Sequence, residues 1–410
     1  MSYQKHILFV TSTNLASNPR CRKEIDLALR QKYKVSYIAF SFDNWTKDAE
    51  KTIQKELAGA RGFYIPGNRT PFFLWFFSSL VERITRRIYP FATTSLPIAA
   101  YAHSKRSFLL NRFLQNKKGR FDLIVAHNLA ALFPSFLYAK RNTIAFGFDV
   151  EDFHPGEVIV SDAPSEKRRR ELLLKNILPH AVYISYASPL IGEYTLKLLL
   201  HTYKNAHFFI PNCFNAEEFQ EPKKLAKDQR LKLVWFSQHI SYGRGLEELL
   251  EAVEPIKDLV ELHLIGQEHL DFYSRFIRNR NFVFTYSPMP QADLHNFLAT
   301  FDVGLAIEMS KADVNRNIAL TNKLFAYMQA GLYVLATNTP SQQLFIQQYP
   351  WGGEITGQNS EQIRMSLIKL IKHKEVIRER AVVRFNRSKE LSYKNQSQRL
   401  INAWNTARKK

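Results

Sequence analysis

The strongest constraint on the fold is a regular alternation of short apolar runs with longer amphipathic stretches along the chain. The runs have the length and composition of buried strands, and the stretches between them repeat apolar residues at helical spacing. Strands that alternate with helices form βαβ units, in which the strands lie parallel and the helices cover the sheet. The sequence therefore predicts an α/β protein, with strands in HILFVTST, YKVSYIAF, FDLIVAHN, TIAFGFDV, AVYISYAS, LKLVWFSQ, VELHLIG, FVFTYS, DVGLAIEM and LYVLAT.

The alternation occurs in two series, which predicts two domains. A chain of 410 residues is too long for one ordinary core. The polar, lysine-rich stretch QEPKKLAKDQR separates the two series. We expect a doubly wound domain over residues 1–212, a second over 213–387, and an amphipathic helix at about 388–410 that either stays on the second domain or crosses back to the first. Ligands of such sheets bind beyond the carboxyl ends of the strands, so the cleft between the domains is the expected active site.

The stretch IALTNKLFAYMQAGLYVLAT, residues 318–337, predicts a helix with a polar start. Thr321 is a good N-cap, and Gly331 suits the left-handed residue that ends helices. Lys323 in the first turn opposes the helix dipole, which is favourable only if an anion lies in front of it. Thr321, Asn322 and Lys323 are therefore candidates for binding a phosphate. The alternative is an ordinary capped helix with a solvated lysine.

A second candidate phosphate site follows the strand LKLVWFSQ. Gly243 and Gly245 flank Arg244 directly before an amphipathic helix. Glycines let the backbone approach a phosphate, and arginine binds phosphate oxygens with two parallel hydrogen bonds. The alternative is a tight turn with a surface arginine. The later Lys323, which the same sheet is predicted to present, favours the phosphate interpretation.

In the first domain, polar residues follow two of the predicted strands. His127 and Asn128 end the run IVAH, and a histidine at the end of a strand is either structural or functional. The next strand is followed by FDVEDFHPGE, which contains the group Asp149, Glu151, Asp152 and His154. These side chains could bind sugar hydroxyls, act as a general base, or cap neighbouring elements. No metal site is predicted, because the acids resemble a DxD motif only loosely and the histidines lack ligand spacing.

The loop before the first helix, TSTNLASNPRCRKEIDLAL, also contains basic residues. Asn18 is predicted to cap this helix, with Pro19 at its first position. Arg20, Arg22 and Lys23 would then face either an anionic acceptor or solvent. The residues alone do not decide between the two.

The net charge of +20 implies an anionic partner. Between about residues 71 and 120, aromatic residues directly precede clustered cations, which favours docking on an anionic membrane surface. The alternative is that the aromatic residues pack in the core and the cations face water. Nucleic acid is not expected as a partner, because no recognisable binding motif accompanies the charge. The residues concerned are Phe72, Phe73, Trp75, Phe76, Phe77, Arg83, Arg86, Arg87, Lys105, Arg106, Arg112, Lys117, Lys118 and Arg120.

Compartment signals agree with a cytoplasmic protein. Cys21 and Cys213 fit no disulfide or metal pattern, which suggests a reducing compartment. The apolar run at the start of the sequence is too short for a signal peptide and lacks a cleavage site. No run reaches the length of a membrane-spanning helix. We therefore expect a cytoplasmic protein that binds peripherally to the inner face of the cytoplasmic membrane.

Taken in order, five segments resemble the family 4 glycosyltransferases of the GT-B class, and the resemblance extends over nearly the whole chain. It implies two Rossmann-like domains that face each other across a cleft, with a C-terminal helix that crosses back to the first. It also implies a nucleotide-sugar donor held mainly by the second domain, an acceptor on the first, and metal-independent transfer with retention at the anomeric carbon. The segments are IVAHNLAAL, FDVEDFHPGE, FFIPNCFNAEEF, WFSQHISYGRGLEELLEAV and LTNKLFAYMQAGLYVLAT.

The resemblance assigns roles to individual residues. Arg244 matches the family's phosphate-binding lysine, and His127 matches a histidine expected near the donor sugar. Asn322 and Lys323 match an Asn-Lys variant that faces the diphosphate. The basic partner before the phosphate-binding lysine falls at His239, with Gln238 as a plausible substitute. The expected donor site thus consists of Gln238, Gly243, Arg244, Gly245, Thr321, Asn322 and Lys323, and the expected catalytic residues are His127, Glu151, Asp152, Arg244 and Lys323.

The chain also departs from the family pattern. The paired glutamates of the family fall at Ile318 and Ala326, and Glu151 replaces a histidine common in the family. The predicted function is retaining sugar transfer to a lipid-linked or growing glycan acceptor in cell-envelope polysaccharide synthesis, without a cofactor. The alternatives are a nucleotide-sugar epimerase of the same fold, and a catalytically degenerate scaffold that binds a membrane or a partner.

Overall fold

The computed structural model describes residues 4–44, 46–117, 119–160, 162–223 and 230–407. Lys118 of the predicted basic cluster, part of the lysine-rich stretch between the two series, and the last three residues of the predicted C-terminal helix lie outside these ranges. The chain forms two compact units. Unit 1 contains residues 1–210 and 398–410, and unit 2 contains residues 211–397. The sequence placed these boundaries at 212 and 388.

Unit 1 is built around a parallel sheet. In its described residues the sheet has seven strands in the order β3-β2-β1-β4-β5-β6-β7. The central strands β1 and β4 are almost wholly buried because helices cover both faces. The strands are β1 His6–Thr11, β2 Lys34–Ser41, β3 Arg61–Pro66, β4 Leu123–His127, β5 Ala145–Val150, β6 Tyr183–Tyr186 and β7 Ala206–Phe209.

The first helix shows how the sequence sets the helix starts. The Asn18 side chain accepts a hydrogen bond from the Cys21 backbone N–H, and Pro19 occupies the first helical position, as predicted. The helices of this part of the chain are α1 Pro19–Arg30, α2 Lys47–Glu56, α3 Phe72–Ile88, α4 Leu96–His103, α5 Lys105–Gln115, α6 Leu129–Asn142, α7 Ala163–Ile177 and α8 Pro189–Leu198.

Unit 2 has its own parallel sheet. Its described residues form six strands in the order β10-β9-β8-β11-β12-β13. The strands are β8 Leu231–Ile240, β9 Val260–Glu268, β10 Val283–Tyr286, β11 Val303–Ala306, β12 Tyr333–Thr337 and β13 Gly353–Thr356. The helices are α9 Leu246–Val253, α10 Leu270–Phe272, α11 Gln291–Leu298, α12 Val314–Ile318, α13 Asn322–Gln329, α14 Pro340–Gln348, α15 Ser360–Lys372, α16 Lys374–Glu379, α17 Ala381–Ser388 and α18 Tyr393–Gln396.

After unit 2 the chain returns to unit 1 as helix α19, Gln398–Thr406. Trp404 of this helix is fully buried and contacts Phe9 of β1 and Tyr33 edge to face. Its indole N–H donates to the Tyr183 hydroxyl at 3.0 Å. The crossing-back alternative for the C-terminal helix is therefore the one observed. Residues 388–397, which the sequence grouped with that helix, lie in unit 2.

Three strands of these sheets are absent from the sequence prediction. They are β3, β7 and β13, and each lies at the edge of its sheet. An edge strand is covered less than a central one, so its sequence need not form a continuous apolar run. Exposed and half-buried residues make up nearly all of β3 and all of β7. Within the described residues, none of the helices combines the length and the apolar character needed to cross a bilayer.

Candidate active site

The candidate site of unit 1 lies at the carboxyl end of its sheet, where β1, β4 and β5 end side by side. Thr11 pairs with His127, and His127 pairs with Asp149 in the strand register. The strand order reverses between β1 and β4, and such a reversal point leaves a crevice in which ligands of doubly wound sheets bind. Polar residues from three neighbouring strands therefore meet at one edge.

Asn128 connects the polar groups at this edge. It follows β4 with a φ of 68° and a ψ of 149°, a backbone conformation that residues other than glycine rarely adopt. Its Oδ1 accepts from the Thr11 hydroxyl at 2.8 Å and from Asn18 Nδ2 at 3.1 Å. Its Nδ2 lies 3.4 Å from Glu151 Oε2. These contacts hold Asn128 in place and bring its amide to Glu151.

The carboxyl group of Glu151 is poised to exchange a proton near neutral pH. Glu151 and Asp152 directly follow β5, and both are half-buried. Burial, and then repulsion by the Asp152 charge, raise the pKa of Glu151 to about 7. A carboxyl group with such a pKa can donate or accept a proton at neutral pH. His154, a third member of the predicted group, lies 3.2 Å from Glu157 Oε2 through its Nδ1.

Beneath these residues lies a fully buried group of charges. Arg20 forms two parallel hydrogen bonds with Asp149, at 2.8 and 2.7 Å, and donates to the Ile210 carbonyl at 2.8 Å. Asp149 also accepts from the Ser185 hydroxyl at 2.7 Å. Despite burial, the guanidinium of Arg20 lowers the pKa of Asp149. The sequence left open whether Arg20 faces an anionic acceptor or solvent. It faces neither, because its partner is the buried carboxylate of Asp149.

His127 belongs to the same buried group. Its Nε2 lies 3.4 Å from Glu24 Oε2, its Nδ1 lies 3.6 Å from Asp149 Oδ2, and its ring is fully enclosed. Burial acts to lower the pKa of His127, but the charges of Glu24 and Asp149 outweigh burial and raise it. In this position the imidazole of His127 can orient the carboxylates of Glu24 and Asp149 by electrostatic attraction. Its predicted contact with a donor sugar stays a prediction.

Glu24, His127 and Asp149 are also close enough to hold a metal ion, since their ligand atoms lie within 4.8 Å of one another. The chemistry of the group argues against that use. Both oxygens of Asp149 accept hydrogen bonds from Arg20, so a metal ion bound to Asp149 would lie close to a fixed positive charge. We therefore assign these residues to a buried ion-pair network.

The candidate site of unit 2 lies where β8 and β11 end. The loop after β8 contains Gly243 and Gly245, with left-handed φ values of 68° and 72°. A Cβ atom on Gly245 would lie 2.5 Å from Ile307 Cγ2 and 3.2 Å from Met309 Sδ. The glycine loop therefore packs against the segment that follows β11. Arg244 is half-buried within the loop, and Gln238 is exposed near the end of β8.

Helix α13 contacts the same segment through Lys323. Lys323 Nζ lies 2.8 Å from Glu308 Oε1 and 5.0 Å from the centre of the Trp235 ring. Glu308 is fixed in turn by Thr337, whose hydroxyl oxygen accepts from the Glu308 backbone N–H at 2.8 Å. Lys323 is buried, so the solvated-lysine alternative is wrong. The loop of β8 and the start of α13 thus meet at residues 307–309.

The start of α13 differs in one detail from the prediction. Thr321 occupies the N-cap position, but its side chain makes no capping hydrogen bond, and the enclosed hydroxyl has no hydrogen-bond partner among the described residues. Asn322 is the first helical residue and is half-buried. The helix ends as predicted, with Gly331 at a φ of 80° just after the C-cap.

Two charged residues of this site were missed in the sequence. Glu308 was included in the predicted strand DVGLAIEM, but β11 ends at Ala306, so Glu308 lies beyond the end of the strand, where ligand-binding residues of such sheets are found. Arg316 of α12 donates from Nη1 to the Gly243 carbonyl at 3.3 Å. No feature of the sequence around Arg316 indicates that contact. Ile318 and Ala326, the positions at which the resemblance placed paired glutamates, are both buried.

The two sites offer different chemistry. In unit 2, a buried lysine, an arginine between two glycines and the start of an α-helix can neutralise the charge of a diphosphate. In unit 1, an amide and a carboxyl group of raised pKa can bind and deprotonate a hydroxyl. Each site lies at the carboxyl end of its own parallel sheet.

Comparisons with solved structures match the fold of the whole chain. Sucrose-phosphate synthase from Thermosynechococcus elongatus aligns with a TM-score of 0.66 at 11% identity and covers 98% of both chains. HepE from Anabaena, solved with UDP and glucose, aligns with a TM-score of 0.66 at 12% identity over 98% of this chain and 100% of its own. A glycosyltransferase from Rickettsia africae aligns with a TM-score of 0.64 at 13% identity over 98% of both chains. The chain therefore has the GT-B fold.

The fold by itself does not select one reaction. A putative UDP-N-acetylglucosamine 2-epimerase from Listeria monocytogenes also aligns, with a TM-score of 0.54 at 13% identity over 92% of this chain and 91% of its own. No protein-family model matches the sequence, and no curated protein matches it. Any assignment of an activity must therefore rest on the site residues.

Proposed function

We propose that the chain is a retaining, metal-independent glycosyltransferase that moves a sugar from a nucleotide-sugar donor to a lipid-linked or growing glycan acceptor. The observation that supports this most is the convergence in unit 2 of the Gly243–Gly245 loop and the buried Lys323 on residues 307–309. When the sugar of a nucleoside-diphosphate donor is transferred, the bond between its anomeric carbon and the phosphate oxygen breaks and the nucleoside diphosphate leaves. The carboxyl end of this sheet offers the cationic and N–H groups that such a leaving group needs.

In this proposal Lys323 and Arg244 stabilise the charge that develops on the departing diphosphate. Lys323 is paired with Glu308 in the ligand-free chain, so the diphosphate must compete with that carboxylate. Thr321 and Asn322 place the first N–H groups of α13 toward the phosphate, and Gly243 and Gly245 allow close approach of the backbone. The departing phosphate can take the proton of the acceptor hydroxyl, so a separate base is not obligatory.

We assign the acceptor to unit 1. The Asn128 amide and the carboxyl group of Glu151 can hydrogen-bond an acceptor hydroxyl, and burial together with the Asp152 charge keeps the pKa of Glu151 high. His127 is enclosed, and we therefore propose that it positions Asp149 at the end of β5 rather than contacting the sugar.

A membrane-bound acceptor agrees with the surface of α3. Phe73 is 84% exposed, and Phe72, Phe76 and Phe77 are exposed as well, so the core alternative for these aromatic residues is wrong. Exposed arginines follow on the same helix. Apolar groups that insert into a bilayer next to cations that meet anionic headgroups would hold the chain on the inner face of the cytoplasmic membrane. Synthesis of a cell-envelope polysaccharide would provide such an acceptor.

The test is a thermal-shift screen against UDP-, GDP-, ADP- and CMP-sugars, with UDP-glucose first because HepE is solved with UDP-glucose. A ligand that binds only the folded state raises the melting temperature by mass action. We expect one nucleotide class to raise it in the parent chain, and Lys323→Ala to lose that shift. Lys257→Ala, which removes an exposed lysine of the same unit, should keep it.

A degenerate scaffold is the second candidate, because buried Ile318 and Ala326 replace the family's acidic pair. If no donor and no nucleoside diphosphate shifts the parent chain, the transferase proposal is wrong and the scaffold is favoured. If a donor binds, product analysis with and without a glycan acceptor separates transfer from epimerisation, because an epimerase converts the donor alone.

A further inference from the structure

Unit 2 contains a cavity of about 430 Å³ at the amino end of its strands. The candidate donor site lies at the opposite, carboxyl end of the same sheet. Tyr333, the first residue of β12, lines the cavity, while Thr337, the last residue of β12, bonds to Glu308. Since a strand rises about 3.3 Å per residue, roughly 13 Å of strand separate the two positions. The cavity is therefore a different site from the one around Lys323. Its volume lies within the range of small-molecule sites.

The cavity is strongly cationic. Among the described residues that line it, one is acidic: Glu354, which is paired with Lys369 at 2.6 Å. Arg380, Arg384 and Arg387 also line it, and in the part of the chain that the structure describes no carboxylate forms an ion pair with any of the three. The lining therefore carries an excess of three positive charges. Such a concentration of uncompensated guanidinium groups is unfavourable unless an anion or solvent balances it.

The three arginines differ in what else they do. Arg384 is only 5% exposed, and it donates to the Gly331 carbonyl at 3.0 Å and to the Ile377 carbonyl at 2.7 Å. Burial lowers its pKa to about 10. Arg384 therefore joins the ends of α13 and α16. Arg380 and Arg387, by contrast, are exposed, so their guanidinium groups are available to a ligand.

The rest of the lining is apolar and aromatic. Trp351 contributes a ring over which Arg387 lies at 5.2 Å from the centre, and Val376 and Val383 are exposed beside it. A bare inorganic anion would leave this surface unused. A molecule that combines a phosphate with an organic group would contact both parts of the lining.

We infer that this cavity binds a phosphate-bearing small molecule, with Arg380 and Arg387 on the phosphate oxygens and the organic part against Trp351 and Val383. Arginine suits the phosphate because its planar guanidinium donates two parallel hydrogen bonds. The inference does not depend on the proposed sugar transfer, since the cavity lies at the opposite end of the strands from the candidate donor site. Nucleotides and lipid phosphates share the required chemistry.

The experiment is isothermal titration calorimetry with three probes that share a diphosphate: inorganic pyrophosphate, UDP and farnesyl diphosphate. The protein is the full chain with Lys323→Ala, which weakens the candidate donor site. We expect at least one probe to bind, and the double variant Arg380→Gln/Arg387→Gln to weaken it by about tenfold or more. The matched control, Arg364→Gln/Lys257→Gln, removes two charges of the same unit outside the cavity and should change the affinity less than about twofold.

The outcomes separate the sources of the phosphate. For a probe whose binding Arg380→Gln/Arg387→Gln weakens, tighter binding of UDP than of pyrophosphate identifies a nucleotide site, and tighter binding of farnesyl diphosphate identifies a lipid-phosphate site. Absence of binding by all three probes overturns the inference, as does equal loss in the cavity variant and its control. Thermal unfolding of each variant verifies that it is folded. Because the Lys323→Ala background is common to all samples, failure here leaves the donor-site proposal untouched.

Discussion

Lys323 and Glu308 form a nearly enclosed ion pair at the edge of the sheet in unit 2. Charge interactions are stronger in such a setting than in water, so a diphosphate that replaces Glu308 as the partner of Lys323 would interact strongly with it. The sequence indicated the lysine but not its partner, because a pattern of residues along the chain carries no information about which side chains meet. The same holds for Arg20 and Asp149, which are 129 positions apart.

If Lys323 and Arg244 stabilise the leaving diphosphate, replacing either with alanine should reduce kcat by on the order of 10²–10³. The reason is that their interaction strengthens as charge develops in the transition state. The measurement is initial-rate kinetics with the donor that the thermal-shift screen identifies. The control is Lys257→Ala, and near-normal kcat in both site variants would refute the assignment.

The raised pKa of Glu151 predicts a pH-dependent stability. Because this pKa, about 7, lies above that of an unfolded glutamate, the folded chain binds more protons between these two values. The contribution of Glu151 to the free energy of unfolding therefore decreases as pH rises from 5 to 8. Relative to Glu151→Gln, which cannot titrate, the parent chain should lose on the order of 2 kcal/mol across that interval.

Urea unfolding of the two chains at pH 5 and pH 8 measures this difference. Glu217→Gln, at an exposed position, serves as the control and should show no such change relative to the parent. If the parent chain and Glu151→Gln differ in their free energy of unfolding by the same amount at both pH values, the carboxyl group of Glu151 has an ordinary pKa.

At the scale of elements, α3 has an apolar surface that no described part of unit 1 covers. Phe73, Phe77, Leu80 and Ile84 follow each other at helical spacing, and each is at least 40% exposed. Such a contiguous apolar surface on a chain in water usually marks an interaction site. The exposed arginines of the last turns continue the same helix.

We therefore expect the chain to bind vesicles that contain anionic lipid, and Phe73→Ser/Phe76→Ser to weaken that binding by about tenfold or more, because two inserted rings are lost. Co-sedimentation with vesicles measures the affinity. Leu200→Ser, which removes a side chain that is 79% exposed elsewhere in unit 1, should have little effect. Binding that is equal for all three chains would exclude α3 as the docking surface.

The elements that the sequence predicted best are those with the most complete burial. β1, β4 and β5 are almost entirely buried, so their apolar runs are continuous and easily identified. The edge strand β3 alternates less clearly, and Gly62 and Pro66 within it resemble turn residues. The start of α13 was predicted from Thr321 at the N-cap and its end from Gly331, whereas the contact of Arg316 with Gly243 depends on tertiary packing alone.

At the scale of the whole molecule, unit 1 is completed by a segment that follows all of unit 2 in the chain. Trp404 fills space against Phe9 and Tyr33, and the Lys5 ammonium donates to the Trp404 carbonyl at 2.5 Å and to the Ala407 carbonyl at 2.7 Å. The sequence predicted that this helix is amphipathic. The residues alone left open whether it stays on the second domain or crosses back to the first, and the resemblance to a family implied the crossing.

Replacing Trp404 with alanine should destabilise unit 1 by about 3–5 kcal/mol, because it leaves a large cavity in the core and the Tyr183 hydroxyl loses a donor. Hydrogen exchange followed by mass spectrometry measures the units separately: β1 and β6 should exchange faster, and β8 should not change. The control, Asn402→Ala, alters an exposed position of the same helix and should change stability by less than about 0.5 kcal/mol. Equal effects on both units would contradict the assignment of α19 to unit 1.

The position of α19 has a consequence for the order of events on the ribosome. Residues 398–407 are translated only after all of unit 2, although the aromatic groups that receive Trp404 belong to the earliest part of the nascent chain. Domains commonly fold in the order of their synthesis. Here the core of unit 1, whose sheet is synthesised first, stays incomplete until unit 2 and then α19 have been synthesised. Until then the surface around Phe9 and Tyr33 is uncovered. Chaperones that bind apolar surface would therefore find their target in the N-terminal unit throughout elongation.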